Sequence, residues 1–275
     1  MGSKSNQNPL EEGLSILRNK GIFPLAKAFL SFVGLNYQGY SYYTQHLYRT
    51  RATGSVQGTD PFTVISVPSE AIQRTPAERI SRWDHFGEAL PGDWDQETKP
   101  VCELIKYRSV VDRFKNDVPW EETDVYQEAV KRIKNGETYW NGCRTIKDVE
   151  RRTQHVDELY DRIKMHGYKS QGELHGKPLR DVVLDRKFDR SKEEVAVAIG
   201  RDGEFLFIDG THRLAIAHVL QLDEIPVHVV FRHLAWQRHR EEMFKKEISN
   251  KPAEYTGKYQ RHPDIMESLN RPTEE

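Results

Sequence analysis

The stretch that decides the fold is Asp209-Gly210-Thr211-His212-Arg213, which stands between two apolar runs. The run before it, 205–208, reads Phe-Leu-Phe-Ile and predicts a strand, and the run after it, 214–220, predicts a buried helix. Where a strand turns through glycine into a helix, the first N–H groups have no partner within the helix, and the helix dipole is positive. Threonine, histidine and arginine in that first turn would make an anion site, and phosphate is the anion that we expect.

The same residues also fit a plain connection that holds no ligand. In that alternative, Asp209 or Thr211 is the N-cap of the helix, and Arg213 forms a surface salt bridge. The five residues by themselves do not decide between the two interpretations.

The segments on either side extend the pattern. Residues 194–208 predict two strands joined by a hairpin at Asp202-Gly203, and residues 225–231 predict a third strand with Pro226 at its start. Upstream, residues 156–168 predict an amphipathic helix for which Gly167 is the C-cap.

This order of elements resembles the ParB/sulfiredoxin-like domain. That family has a helix ending in His-Gly, a short linker, a strand hairpin, a helix start of the Gly-x-His-Arg type and a strand beginning Ile-Pro-Val. All of them stand here in order, from the helix that ends at His166-Gly167 to the strand that begins at Ile225-Pro226-Val227. Residues 62–72 resemble the opening strand and short helix of the family, so the resemblance spans most of residues 61–232.

The resemblance implies an α+β fold: a small mixed sheet with packed helices, a long helical insertion, and helical extensions at both termini. We expect an N-terminal helical and aromatic arm over 1–60, the ParB/sulfiredoxin-like domain over 61–232 with the insertion at about 75–145, and a C-terminal helix and polar tail over 233–275. The helical residues 101–166 should lie beside the anion site and bury Trp120 and Trp140.

Shorter patterns add further expectations. Residues 74–100 contain several prolines and predict loops, and the two carboxylates of 92–95 (Gly-Asp-Trp-Asp) suit a divalent cation or, more simply, a helix cap. Thr145 and Asp148 predict a capping box. The adjacent Arg151 and Arg152 predict a solvated helix face.

The functions of the family share one element, a nucleotide phosphate held at the helix start. ParB proteins bind and hydrolyse CTP and clamp onto DNA, sulfiredoxins bind ATP and repair an overoxidised cysteine, and related proteins phosphorylate free serine. Thr211 stands where sulfiredoxins have their cysteine. The threonine hydroxyl cannot replace the cysteine thiolate as a nucleophile, so the sulfiredoxin reaction is excluded.

The resemblance and the residue chemistry together give a set of candidate site residues. The expected phosphate-binding residues are Gly210, Thr211, His212 and Arg213, with Lys169, Ser170 and Gln171 in the linker that faces the nucleotide in the family. Asp209 would orient a neighbour, hold Mg²⁺ or act as a base, and Glu173 is a further candidate base. The expected cofactors are ATP or CTP with Mg²⁺, and no histidine spacing predicts a metal site.

The leading hypothesis is a nucleotide-binding protein that transfers or hydrolyses a phosphoryl group, as a kinase acting on a small-molecule acceptor or as an NTPase. The alternative is a non-catalytic adaptor that binds nucleotide or DNA. A third hypothesis keeps the fold without a ligand and makes Asp209 and Arg213 a structural ion pair. The sequence leaves open whether the chain forms a homo-oligomer.

Composition narrows the class of protein. The 275 residues include 41 Lys and Arg against 42 Asp and Glu, a net charge of −1, which does not favour a nucleic-acid partner held by one large basic surface. The two cysteines, Cys102 and Cys143, are too few for a disulfide framework and suggest ordinary buried residues. The apolar residues 21–35 are too few to span a bilayer and no secretory signal is evident, so we expect a cytoplasmic protein.

Overall fold

A computed structural model describes residues 63–80, 85, 87–140, 142–177, 194–248, 259 and 261–270. The predicted N-terminal arm over 1–60 lies outside this part of the chain. The described strands are β1 (Val64–Pro68), β2 (Arg74–Pro76), β3 (Ala89–Leu90), β4 (Thr98–Pro100), β5 (Val195–Ile199), β6 (Phe205–Asp209) and β7 (Glu224–His233). The described α-helices are α1 (Ile105–Lys115), α2 (Asp124–Lys134), α3 (Ile146–His166), α4 (Gln171–His175), α5 (Thr211–Val219), α6 (Leu234–Ile248) and α7 (Pro263–Asn270).

The strands form one mixed sheet in the order β1-β7-β5-β6-β2-β4, and β3 pairs with the end of β7. The central strand β5 is parallel to β7 and antiparallel to β6. Every residue of β5 is buried, because both faces of the sheet are covered there. The expected α+β class with a mixed sheet is confirmed among the described residues.

The hairpin predicted at Asp202-Gly203 joins β5 to β6. The Gly200 N–H donates to the Glu204 carbonyl at 3.0 Å, and Gly203 takes the left-handed conformation at φ +82°. Asp95 fixes this loop, since its carboxylate accepts the Arg201 backbone N–H at 2.8 Å and the Arg201 guanidinium at 2.7 Å. The expectation of a cation site or helix cap at 92–95 is therefore wrong for Asp95, whose charge neutralises an arginine.

The expectation that residues 101–166 are mainly helical is confirmed by α1, α2 and α3. The capping box is confirmed too: the Thr145 hydroxyl accepts from the Asp148 N–H at 3.2 Å, and the Asp148 carboxylate accepts from the Thr145 N–H at 3.0 Å. The preceding segment differs from the prediction. Residues 74–100 supply β2, β3 and β4 to the sheet instead of forming only loops.

The C-terminal region also differs from the prediction. Arg232 and His233 end β7, so the helix expected at the basic stretch begins only at Leu234. The prediction of a polar tail is wrong for residues 263–270. These residues form α7, and Asp264 and Ile265 are buried against the rest of the fold. No helix in the described part of the chain is long and apolar enough to cross a membrane.

Candidate functional site

The turn between β6 and α5 has the predicted strand–glycine–helix geometry. Gly210 is the N-cap residue of α5 and lies in the left-handed region at φ +94°. A Cβ atom at this position would stand 2.9 Å from the Cα atom of Val195 in β5. The absent side chain of Gly210 therefore makes room for the neighbouring strand, and the chain can enter α5 without strain only if this residue is glycine.

The N-terminus of α5 has no side-chain cap. The Asp209 carboxylate accepts the Gly210 N–H at 2.8 Å, which leaves it outside the helix. The suggestion that Asp209 or Thr211 caps α5 is therefore wrong. Thr211, His212 and Arg213 are half-buried in the first turn, with Asp209 exposed beside them. The helix start thus keeps the positive dipole and N–H groups that an anion requires.

Positive side chains from other elements act on this helix start through their charge. Lys106 of α1 and Arg152 of α3 both act electrostatically on His212. Burial lowers the pKa of Lys106; the charges of Arg152 and Arg79 lower it further, whereas Asp209 raises it. Because neighbouring positive charges lower the pKa of Lys106, an anion at the helix start would relieve this repulsion.

Arg213 adds a further positive charge from the first turn of α5. Its guanidinium carbon lies 5.8 Å from the centre of the Tyr168 ring, which follows the end of α3. Burial raises the pKa of the Tyr168 hydroxyl to about 12, so this ring is a neutral partner for the guanidinium. The contact places Arg213 between α5 and the linker that leads to α4.

His212 is a neutral member of the site. Its Nε2 atom accepts a hydrogen bond of 3.1 Å from the indole Nε1–H of Trp140, and the two ring centres are 5.8 Å apart. Burial, with the charges of Lys106 and Arg152, lowers the pKa of His212 to about 3. The histidine therefore contributes hydrogen bonding and not charge at neutral pH.

The predicted site residues between α3 and the end of α4 lie in different environments. Ser170 and Glu173 form the capping box of α4: the Glu173 carboxylate accepts the Ser170 N–H at 2.7 Å, and this hydrogen bond lowers the pKa of the acid. Lys169 is exposed, whereas Gln171 is buried and its backbone N–H donates to the Glu194 carboxylate. The structure thus commits Glu173, a candidate base, to a helix cap.

Sequence reasoning missed Lys106, Trp140 and Arg152 as members of the site. The sequence predicts a solvated face for Arg152, yet it is half-buried and acts on His212, while its neighbour Arg151 is exposed. Helical spacing carried a usable signal, because Arg152 lies three residues after Val149 and four before Val156, both of which are buried. For Trp140, which lies in a turn, the sequence predicted burial beside the anion site but not the contact with His212.

The expected burial of Trp120 and Trp140 is confirmed, at 5% and 2% exposure. The expectation that both cysteines are buried is confirmed for Cys143 and is wrong for Cys102, which is exposed. The described residues contain no group of three or more His, Cys, Asp or Glu side chains that could hold a metal ion. Comparison of the chain with known protein families, curated proteins and solved structures found no match.

Proposed function

We propose that this protein binds the phosphate groups of a nucleotide, ATP or CTP with Mg²⁺, at the start of α5. The observation that carries the proposal is an N-terminus that no side chain caps. Arg213 stands in its first turn, and Lys106 and Arg152 act electrostatically on His212 of the same turn. Three elements supply these cations, in a protein whose net charge is only −1. Such local concentration of positive charge fits a small polyanion better than an extended acidic partner.

The chemistry of the residues supports phosphate over a single carboxylate. Arg213 can bind two phosphate oxygens at once, and Lys106 can act as a point charge on another. The backbone N–H groups of the first turn of α5 would supply further donors. Mg²⁺ needs one or two carboxylates in addition to the phosphates, and Asp209 is exposed beside the turn to provide one.

Within this proposal, phosphoryl transfer or hydrolysis is the enzymatic candidate. Asp209 is the residue that we assign to it, as a Mg²⁺ ligand or as a base for the attacking group, because Glu173 is occupied by the cap of α4. Transfer would use a small-molecule acceptor and hydrolysis would use water. The alternative is a nucleotide-binding adaptor without turnover, which the resemblance to ParB proteins supports.

The binding test is calorimetry with ATP, ADP, CTP and GTP, with and without Mg²⁺, on the wild type and Arg213→Ala. Losing a charge-assisted contact to phosphate should weaken binding by about thirtyfold to a thousandfold, while circular dichroism stays unchanged. The matched control is Arg108→Ala, which removes an arginine of α1 that pairs with Asp124 at 3.0 Å. It should leave affinity within about twofold, since exposed pairs contribute little.

Two results would contradict the proposal: a wild type that binds none of the four nucleotides, or equal affinity in the wild type and Arg213→Ala. Turnover is tested separately with Asp209→Asn. An enzyme should lose phosphate release or transfer in this variant and should still bind the nucleotide in the absence of Mg²⁺. An adaptor should show binding without turnover already in the wild type.

A further inference from the structure

We infer that Trp140 is a positioning residue that holds His212 in its Nδ1–H tautomer, so that His212 serves the phosphate site as a neutral hydrogen-bond donor. The inference rests on the function proposed above and extends it to a residue outside the Asp209–Arg213 stretch. Trp140 comes from the insertion at about 75–145, and it precedes His212 by 72 residues in the chain. This segment would then complete the site and not merely lie beside it.

The tautomer follows from the chemistry of the two rings. An indole nitrogen carries a hydrogen and can only donate, so the His212 Nε2 atom at 3.1 Å must accept. A neutral imidazole has one ring proton, and an accepting Nε2 leaves that proton on Nδ1. His212 can therefore donate to a ligand oxygen through Nδ1 alone.

The backbone holds Trp140 in an unusual conformation. Trp140 has φ +46°, in the left-handed region that bulky residues rarely occupy. It lies in a tight turn closed by two hydrogen bonds between Tyr139 and Cys143, with lengths of 3.1 and 2.8 Å. The Cys143 thiol donates to the Trp140 carbonyl at 3.3 Å, and the Trp120 ring lies 5.9 Å from the Trp140 ring. The hydrogen bonds of the turn hold the Trp140 backbone in the conformation from which the indole N–H reaches His212.

The charges around His212 keep its ring neutral, so that Trp140 selects between the two neutral tautomers. Lys106 of α1 and Arg152 of α3 disfavour the imidazolium. Asp209 acts on Lys106, and the buried Cys143 thiol, whose pKa burial raises, stays neutral in the turn. A second proton on His212 would meet two positive charges and would also break the hydrogen bond from Trp140.

The tautomer can be read without a ligand, by nitrogen NMR of histidine-labelled protein. The wild type should show a protonated Nδ1 and an unprotonated Nε2 for His212, unchanged between about pH 5 and about pH 8. Trp140→Phe keeps an aromatic ring and removes the donor, so the Nε2–H tautomer should become populated. Trp120→Phe is the control, because its indole donates to Asp157 at 2.9 Å and not to His212. A wild-type Nε2–H or doubly protonated ring would overturn the inference.

The ligand role is read from binding of ATP and of inorganic triphosphate in a double-mutant cycle. Trp140→Phe should weaken binding by about three- to tenfold, as expected for one hydrogen bond, and Trp120→Phe should not. In the His212→Ala background, Trp140→Phe should have no further effect, because its action passes through His212. His212→Asn, which keeps an N–H donor near the Nδ1 position, should bind more tightly than His212→Ala.

An additive effect of Trp140→Phe and His212→Ala would show that Trp140 acts structurally and would overturn the positioning role. A wild type that binds neither probe would overturn the proposed function and the ligand role together. The NMR result would then still decide whether Trp140 fixes the tautomer, so the two failures are distinguishable.

Discussion

Gly210 is the residue at which backbone conformation and packing both require the absence of a side chain. Gly210→Ala should lower the free energy of unfolding by about 1–3 kcal/mol for the left-handed conformation alone. A further loss should follow because the new Cβ would meet the Val195 Cα atom at 2.9 Å, and strand backbone cannot move aside cheaply. Chemical denaturation measures the total.

Gly136 provides the matched control, since it has φ +76° and a Cβ atom added to it would meet nothing within 4 Å. Gly136→Ala should lose only the conformational part, about 1–3 kcal/mol. Equal losses in the two variants would show that the close approach of Gly210 to β5 has no energetic weight. Gly210→Ala should also weaken nucleotide binding, because the first turn of α5 would shift.

At the scale of elements, α3 places two adjacent arginines in different environments. Arg151 is exposed and lies 3.5 Å from Asp148, whereas Arg152 is half-buried and acts on His212. Arg152→Ala should weaken ATP binding by about tenfold and reduce its dependence on salt, because one cation leaves the site. Arg151→Ala, one residue away on the same helix, should change affinity less than about twofold.

Calorimetry at two salt concentrations reads both effects, and circular dichroism checks that α3 persists in each variant. The pKa of His212 gives a second comparison of Arg152→Ala with Arg151→Ala. Arg152 is among the charges that lower this pKa, and Arg151 is not. The pKa of His212 should therefore rise in Arg152→Ala only. Equal behaviour of the two variants would contradict the assignment of Arg152 to the site.

At the scale of the whole molecule, one buried carboxylate joins three elements. Asp264 of α7 accepts from Arg232 of β7 at 2.9 Å and from the Trp236 indole of α6 at 2.9 Å, and Arg240 of α6 lies 2.9 Å from it. Asp264→Asn should lower the free energy of unfolding by about 3–5 kcal/mol, because two buried guanidiniums lose their counter-charge. The same change at exposed Asp223 should cost less than about 0.5 kcal/mol.

The pH dependence of stability tests the same group. Burial raises the pKa of Asp264, but the charges of Arg232 and Arg240 outweigh it and hold the pKa below the ordinary 3.8. The unfolded chain then binds the proton more readily, so the stabilisation is complete above about pH 4 and is lost as pH falls through the folded-state pKa. Denaturation below about pH 4 should show a smaller slope with pH in Asp264→Asn than in the wild type. The same dependence of unfolding free energy on pH below about pH 4 in both proteins would contradict the role of this carboxylate.

The sequence is informative wherever the signal is local. It predicts the strand–glycine–helix turn at Gly210, the hairpin at Asp202-Gly203 and the capping box at Thr145, because each depends on residues within a few positions of one another. It does not reveal the short strands of residues 74–100, since three residues are too few to show an alternating pattern. It also does not reveal α7, because the polar sequence of that helix conceals the buried Asp264.

The sequence by itself determined the place where the chain turns from β6 into α5, because glycine and the flanking apolar runs act over short distances. The α+β class followed from the resemblance that its order of elements carries. Only the tertiary structure decided which side chains join that turn. Lys106 and Arg152 act electrostatically on His212 because α1 and α3 pack on α5, and Trp140 donates a hydrogen bond to it from a turn in which the Trp140 backbone is left-handed. Residues so far apart in the chain are brought together by burial of apolar faces. Spacing shows which faces are apolar, but it does not show which of them pack together.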